Sequence, residues 1–133
     1  MSGVAIAWYL LAHNSPLIAV VPANRVFIGD IPLKTTLPAI SVSQISSVQR
    51  NVVGMAEVNY SVVDRVQVTI LTKTYPQGDS IQALIRTALP VSHGTVNGFA
   101  CEAILPDMEG PDMYDDVALN YMQSQDYMVR FTR

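Results

Sequence analysis

Five carboxylates crowd ten residues of this chain. Asp107, Glu109, Asp112, Asp115 and Asp116 make up five of its 11 acidic residues. Acids at such spacing raise two chemistries: a cation site and a paired acid–base site. The EF-hand alternation of oxygen ligands is missing, and no glutamate stands at its twelfth position. A split in carboxylate pKa values needs a pocket, which spacing cannot supply. The segment therefore reads as a solvated loop of like charge.

The remaining candidates are sparse. His13 and His93 are the two histidines, each beside a loop and without metal-ligand neighbours. They read as surface or cap residues. Ser92-His93 is an adjacent pair, whereas a catalytic triad is a spatial arrangement, and no nucleophile-elbow motif accompanies it. Gly94-Thr95-Val96-Asn97-Gly98 lacks the lysine of a phosphate loop and lies in a strand pattern, with Asn97-Gly98 as a turn or bulge. The single cysteine, Cys101, excludes an internal disulfide and a cysteine metal cluster. Tyr60, Tyr121, Tyr127 and Phe131 read as core or cross-strand aromatics, because no basic residues accompany them for base stacking. Neither an enzyme site nor a cofactor is expected.

The elements that must carry these residues follow from periodicity. Val4 to Ala12 forms a helix apolar over much of its circumference, with Ser2 as its cap, and so is buried on more than one side. It lacks a basic flank and is too short to span a bilayer. Asn14-Ser15-Pro16 breaks it, and Ser15 with Pro16 starts a short helix over Leu17 to Val21. Arg25 to Ile28 is a short strand. Gly29 to Pro38 is an irregular loop. Ala39 to Arg50 is a strand with Ile40, Val42 and Val48 on one face and a bulge near Gln44, where Ile45 leaves the register. Asn51 to Ala56 is a turn.

Glu57 to Lys73 alternates, with Val58, Tyr60, Val62, Val66, Val68 and Ile70 on one buried face. Asp64 interrupts that face and is expected where the strand leaves the core. Asp79-Ser80-Ile81-Gln82 has capping-box spacing and opens an amphipathic helix running through Leu89. Thr95 to Leu105 is a strand with Phe99, Cys101, Ala103 and Leu105 on one side. After the acidic segment, Val117 to Phe131 alternates as the last strand. Mixed order with hairpin-length connections predicts an α+β fold over residues 1–133 as a single domain. Its antiparallel β-sheet is flanked by helices on one face, an N-terminal helix and a central amphipathic helix.

Composition narrows the function classes. The chain is 133 residues long, 50% hydrophobic and only 14% charged, with net charge −3. Typical soluble domains carry about 25% charged residues, so polar uncharged and apolar groups cover much of this surface, which suits self-association. The eight Lys and Arg residues form no basic run, which argues against a nucleic-acid module. The loops Ile31 to Leu37, with Lys34, and Asn51 to Ala56, with Val52, Val53 and Met55, are candidate interfaces because they combine few charges with apolar residues.

An ordered set of segments resembles the phage tail-terminator family, also called tail-completion or minor tail proteins. These are the apolar starting helix running into Arg25-Val26-Phe27, then Leu37-Pro38-Ala39-Ile40-Ser41-Val42. Arg65-Val66-Gln67-Val68-Thr69-Ile70 then runs into Thr74-Tyr75 and the amphipathic helix. Acidic residues precede Leu119-Asn120-Tyr121 and Asp126-Tyr127-Met128-Val129. Met122 stands after Tyr121 where the family usually has arginine. The resemblance implies a structural virion protein forming a ring, commonly a hexamer, that caps the tail tube, ends its polymerisation and offers a surface to the head connector and neck proteins. DNA would pass through the ring without sequence-specific binding, and synthesis would be in the host bacterial cytoplasm, with no membrane partner. The acidic cluster is then expected on a lumen or docking surface, where it would repel DNA phosphates. A head–tail joining protein is the near alternative. A small-ligand-binding or enzymatic α+β domain is the alternative of another class.

Overall fold

The computed structural model describes residues 2–32, 34–50, 61–89, 94–96 and 98–132. Strict alternation makes Ser61–Thr72 a strand whose every second residue is buried. That strand, β3, is the centre of the molecule. In chain order the elements are helix α1 (Ser2–Ala12), short helix α2 (Ser15–Ile18), β1 (Val26–Ile28), β2 (Ala39–Arg50), β3, helix α3 (Tyr75–Ala88), β4 (Gly94–Val96), β5 (Phe99–Glu109), β6 (Met113–Asp115) and β7 (Asn120–Thr132). The strands form one sheet in the order β1-β2-β3-β7-β5-β4, with β6 added beside the start of β7.

The sheet is mixed rather than antiparallel, because β1 and β2 run parallel. The ten-residue connection at 29–38 reaches roughly 33 Å when extended, far more than a three-residue strand needs to be retraced. A loop of hairpin-compatible length therefore carried no signal of its direction. The architecture remains sheet-dominated α+β. Helices α1 and α3 contact each other and both pack on β3 and β7. Val4, Ile6 and Leu11 of α1 and Ile81 and Ile85 of α3 join Val62, Val66, Val68, Ile70, Tyr127, Val129 and Phe131 in one apolar cluster.

Several sequence expectations are corrected by irregularities in the ladders. The predicted bulge lies between Gln44 and Ser46. An extra residue reverses the alternation beyond it, so Ile40 and Val42 are buried while Val48 is 60% exposed on the other face. A second bulge, between Cys101 and Ala103, does the same to β5. Cys101 and Ile104 are buried, and Leu105 is 61% exposed. Asp64 does not mark the strand's exit from the core. It is fully buried there, its Oδ2 accepting the Gly3 N–H at 2.9 Å and its Oδ1 accepting from the Ser47 hydroxyl.

Helix boundaries shift for local reasons. Asn14, not Ser15, caps α2, its Oδ1 accepting the Leu17 N–H at 3.1 Å. Helix α3 begins a turn before the capping-box residues, with Thr74 as its N-cap residue and Pro76 in the first turn, where a missing N–H is harmless. Gly78 falls inside that turn, where a Cβ would meet the Gln123 side chain at 3.0 Å. Val117 to Leu119 belongs to a turn between β6 and β7 rather than to the last strand.

Candidate docking surface

The acidic segment is not a loop. Asp107 and Glu109 end β5, Asp112 lies in the connection, Asp115 ends β6 and Asp116 enters the following turn. Two of its charges are paired. Arg65 bonds Asp107, and Arg86 bonds Glu109. The hydrogen bond and charge of Asp107 hold the Arg65 guanidinium above its ordinary pKa. Arg65 Nε also lies 3.5 Å from Asp126 Oδ2, an ionic contact without hydrogen-bond geometry. The Tyr75 hydroxyl donates to Asp112 at 2.6 Å, which raises the phenol's pKa. Asp115 Oδ1 accepts the N–H groups of Val117 and Ala118 at 3.0 and 3.1 Å. This Asx-type turn fixes the β6–β7 tip.

That tip presents apolar groups to solvent. Val117 is 90% exposed and Leu119 is 64% exposed. Leu119 also holds a positive φ of 55°, a left-handed conformation that a branched apolar side chain adopts at a cost. Behind the tip, Tyr121 packs between Tyr114, with ring centroids 4.6 Å apart, and Tyr75, edge-on at 6.0 Å. This aromatic group and the Tyr75–Asp112 bond tie the hairpin to the start of α3.

A groove of about 600 Å³ separates the tip from the loop before β2. It is lined by Lys34 and Leu37 of that loop, by Leu71 and Met122 of the sheet, and by Tyr114, Asp115 and Asp116 of the hairpin. Two regions singled out separately in sequence, the Lys34 loop and the end of the acidic segment, thus line one groove. Lys34 has φ 63°. Asp107 and Glu109 do not join them, since each is held by an arginine elsewhere. Val52, Val53 and Met55 lie outside the described residues, as does His93.

The other candidate chemistry disperses. His13 stacks on Tyr9 with centroids 4.1 Å apart, and its Nδ1 lies 2.8 Å from the Tyr9 carbonyl oxygen at the end of α1. Cys101 is buried, and burial pushes its thiol pKa up, away from the reactive thiolate. Among the described residues, no three His, Cys, Asp or Glu side chains converge as a metal site, and no helix is long and apolar enough to cross a membrane. Sequence reasoning missed Arg65 and Arg86 as partners of the acids, and Tyr75 and Tyr114 as struts. Their only signal was alternation placing Arg65 on the solvent face of β3.

No family model and no curated protein matches this chain. A solved structure does. It is a chain of the "Virion of native gene transfer agent (GTA) particle", with a TM-score of 0.71 over 98% of this chain and 94% of that one. The two share a fold. Their sequences are 12% identical, so the likeness concerns architecture and carries no residue roles across.

Proposed function

We propose that this protein is a structural, non-enzymatic component of a phage-like virion, forming a ring, a hexamer in the fullest form of the reading, that caps the tail tube. The observation that carries the proposal is the fold shared along nearly the full length of both chains with a component of a virion particle. The low charged fraction of 14% fits a subunit that buries polar and apolar surface against copies of itself. The exposed Val117 and Leu119 and the adjoining groove supply a surface for the tail tube or the head connector and neck proteins.

The mechanism is geometric. A ring matched to the tube end occupies the sites at which the next tube subunits would add, and its opposite surface receives the head. DNA passes through without base recognition. Of the five acids, Asp107 and Glu109 are neutralised by arginines, so Asp112, Asp115 and Asp116 would carry most of any repulsion of DNA at a lumen. Neutralising all five and measuring DNA ejection from properly assembled particles tests that role. Ejection at the wild-type rate would remove it.

Head–tail joining is the second reading, supported by the same likeness. Electron microscopy of particles lacking this protein separates the two. Overlong or headless tails are the expected result for termination, whereas filled heads lacking a neck component would support joining. A small-ligand role rests on the groove alone, and its Asp115 is already engaged with its own turn. Light scattering with and without tail tubes tests the ring directly. A monomer that stays monomeric in the presence of tubes would overturn it.

A further inference from the structure

A polar pocket of about 250 Å³ lies between the start of α3, the β5–β6 connection and β7. Tyr75, Asp79 and Gln82 of α3 line it, together with Glu109, Asp112 and Ser124. It shares no lining residue with the groove beside the β6–β7 tip. The connection runs hard against β7 at Gly110, whose N–H donates to the Ser124 carbonyl at 2.9 Å. A Cβ at that position would collide with Ser124 Oγ, so only glycine lets this wall stand so close.

The donors of this pocket are largely spent. The Tyr75 hydroxyl donates to Asp112 Oδ2 at 2.6 Å, and the Gln82 amide N–H reaches Gln125 Oε1 at 3.5 Å. The acceptors are not spent. Among the described residues, Asp112 Oδ1 and both oxygens of Asp79 accept no hydrogen bond, and neither does Gln82 Oε1. Gln82 is only 5% exposed. A buried amide oxygen costs free energy unless it accepts a hydrogen bond. The pocket that Gln82 lines is where this oxygen can meet a donor.

Charge points the same way. Three carboxylates line the pocket, and only Glu109 is met by a cation, Arg86. Asp79 and Asp112 form no ion pair among the described residues. Both of their charges act on the Tyr75 phenol, the nearer being that of Asp112, which also holds its proton. A neutral or anionic guest would leave these charges uncompensated. The acids are too dispersed for a metal ion, since among the described residues no three His, Cys, Asp or Glu side chains converge on one point. An ammonium or guanidinium group suits dispersed acceptors better, because its several N–H groups donate in different directions.

We propose that this pocket binds a cationic nitrogen, an alkylammonium or guanidinium group. Asp79 and Asp112 match its charge, and Gln82 Oε1 accepts one of its N–H groups. Asp79 is exposed and Gln82 is buried, so the site presents charge at its entrance and the amide oxygen at its depth. The same chemistry is carried by a free organic amine and by the Lys or Arg side chain of a neighbouring protein. The site stands on the geometry of this chain alone and goes beyond the ring reading, on which it does not depend.

The probe is ethylguanidinium, titrated into the full chain and followed by NMR, with sodium chloride at matched ionic strength as the control. Saturable shifts are expected at the Gln82 side-chain amide and at the backbone N–H groups of Asp79, Gly110 and Asp112. Asp79→Asn changes an exposed position and should weaken binding roughly tenfold, the loss for a hydrogen bond to a charged group. Gln82→Met keeps the volume, removes the oxygen and should weaken it about fivefold. Shifts that sodium chloride reproduces, or an Asp79→Asn isotherm equal to that of the wild type, would overturn the site. Co-sedimentation with tail tubes then identifies the source. Tube binding that falls roughly tenfold in Asp79→Asn, and that ethylguanidinium competes away, assigns the site to a basic side chain of the tube. Tube binding that neither treatment changes, in a chain that binds the probe, assigns it to a free amine.

Discussion

The Asp64 carboxylate on β3 accepts the backbone N–H of Gly3 at 2.9 Å, across 61 residues of sequence. A helix leaves its first N–H groups without intrahelical partners, and its N-terminus favours negative charge. Here a fully buried acid from the sheet supplies both needs for α1. The approach is close enough that a Cβ at position 3 would sit 2.6 Å from Asp64 Cβ. Asp64→Ala is therefore expected to destabilise the fold by roughly 1.5–3 kcal/mol, the range for hydrogen bonds to a charged group. Ser47→Ala should cost less, about 1 kcal/mol. Because both residues share one network, urea denaturation of the double variant should show a loss well short of the sum. Additive losses would show that the Ser47 bond is idle.

Gln123 is 2% exposed, and neither end of its amide has a hydrogen-bond partner among the described residues. A buried amide in this state costs free energy that an apolar side chain of similar volume does not. Gln123→Met should raise stability by about 1 kcal/mol in chemical denaturation. Gly78→Ala alone should be destabilising, because its methyl meets the Gln123 side chain at 3.0 Å. A large loss for Gln123→Met would mean that the amide is satisfied in the assembled protein.

Tyr127 makes the fold sensitive to alkali. Its side chain is fully buried, without a partner for its hydroxyl among the described residues, and burial pushes its pKa up to about 12, opposed by the Arg86 charge. An unfolded tyrosine ionises near 10. Below that pH both states hold the proton and stability is unaffected. Between 10 and about 12 the unfolded chain releases its proton while the folded one keeps it, so stability should fall across that window. In Tyr127→Phe the fall should be smaller, as measured by denaturation midpoints from pH 8 to 11.5. Identical pH profiles for the two proteins would refute the assignment.

Leu119 separates stability from assembly. Its positive φ suits asparagine better than leucine, so Leu119→Asn should leave stability unchanged or raise it by up to ~1 kcal/mol. If the β6–β7 tip docks onto virion partners, the same variant should bind tail tubes at least tenfold more weakly in co-sedimentation. Wild-type binding would remove the tip from the docking surface.

Local pattern determined much of this protein. The alternation of Val62, Val66, Val68 and Ile70, and the spacing of Ile81, Leu84, Ile85, Ala88 and Leu89, each bury a face by themselves. Strand β3 and helix α3 were therefore legible before any contact was known. The scarcity of charge and the lone cysteine were equally plain. Tertiary structure decided what depends on a partner distant in sequence. One extra residue in β2 and one in β5 reversed the facing of Val48 and of Ala103 and Leu105, because alternation continues only while the ladder is unbroken. The interruption at Asp64 became a helix cap because packing set α1 against it. The acidic cluster dissolved into separate pairs because Arg65, Tyr75 and Arg86 stand on elements that only the fold brings near. Charge in sequence is a sum over neighbours, whereas charge in the folded protein is set by what lies within a few ångströms.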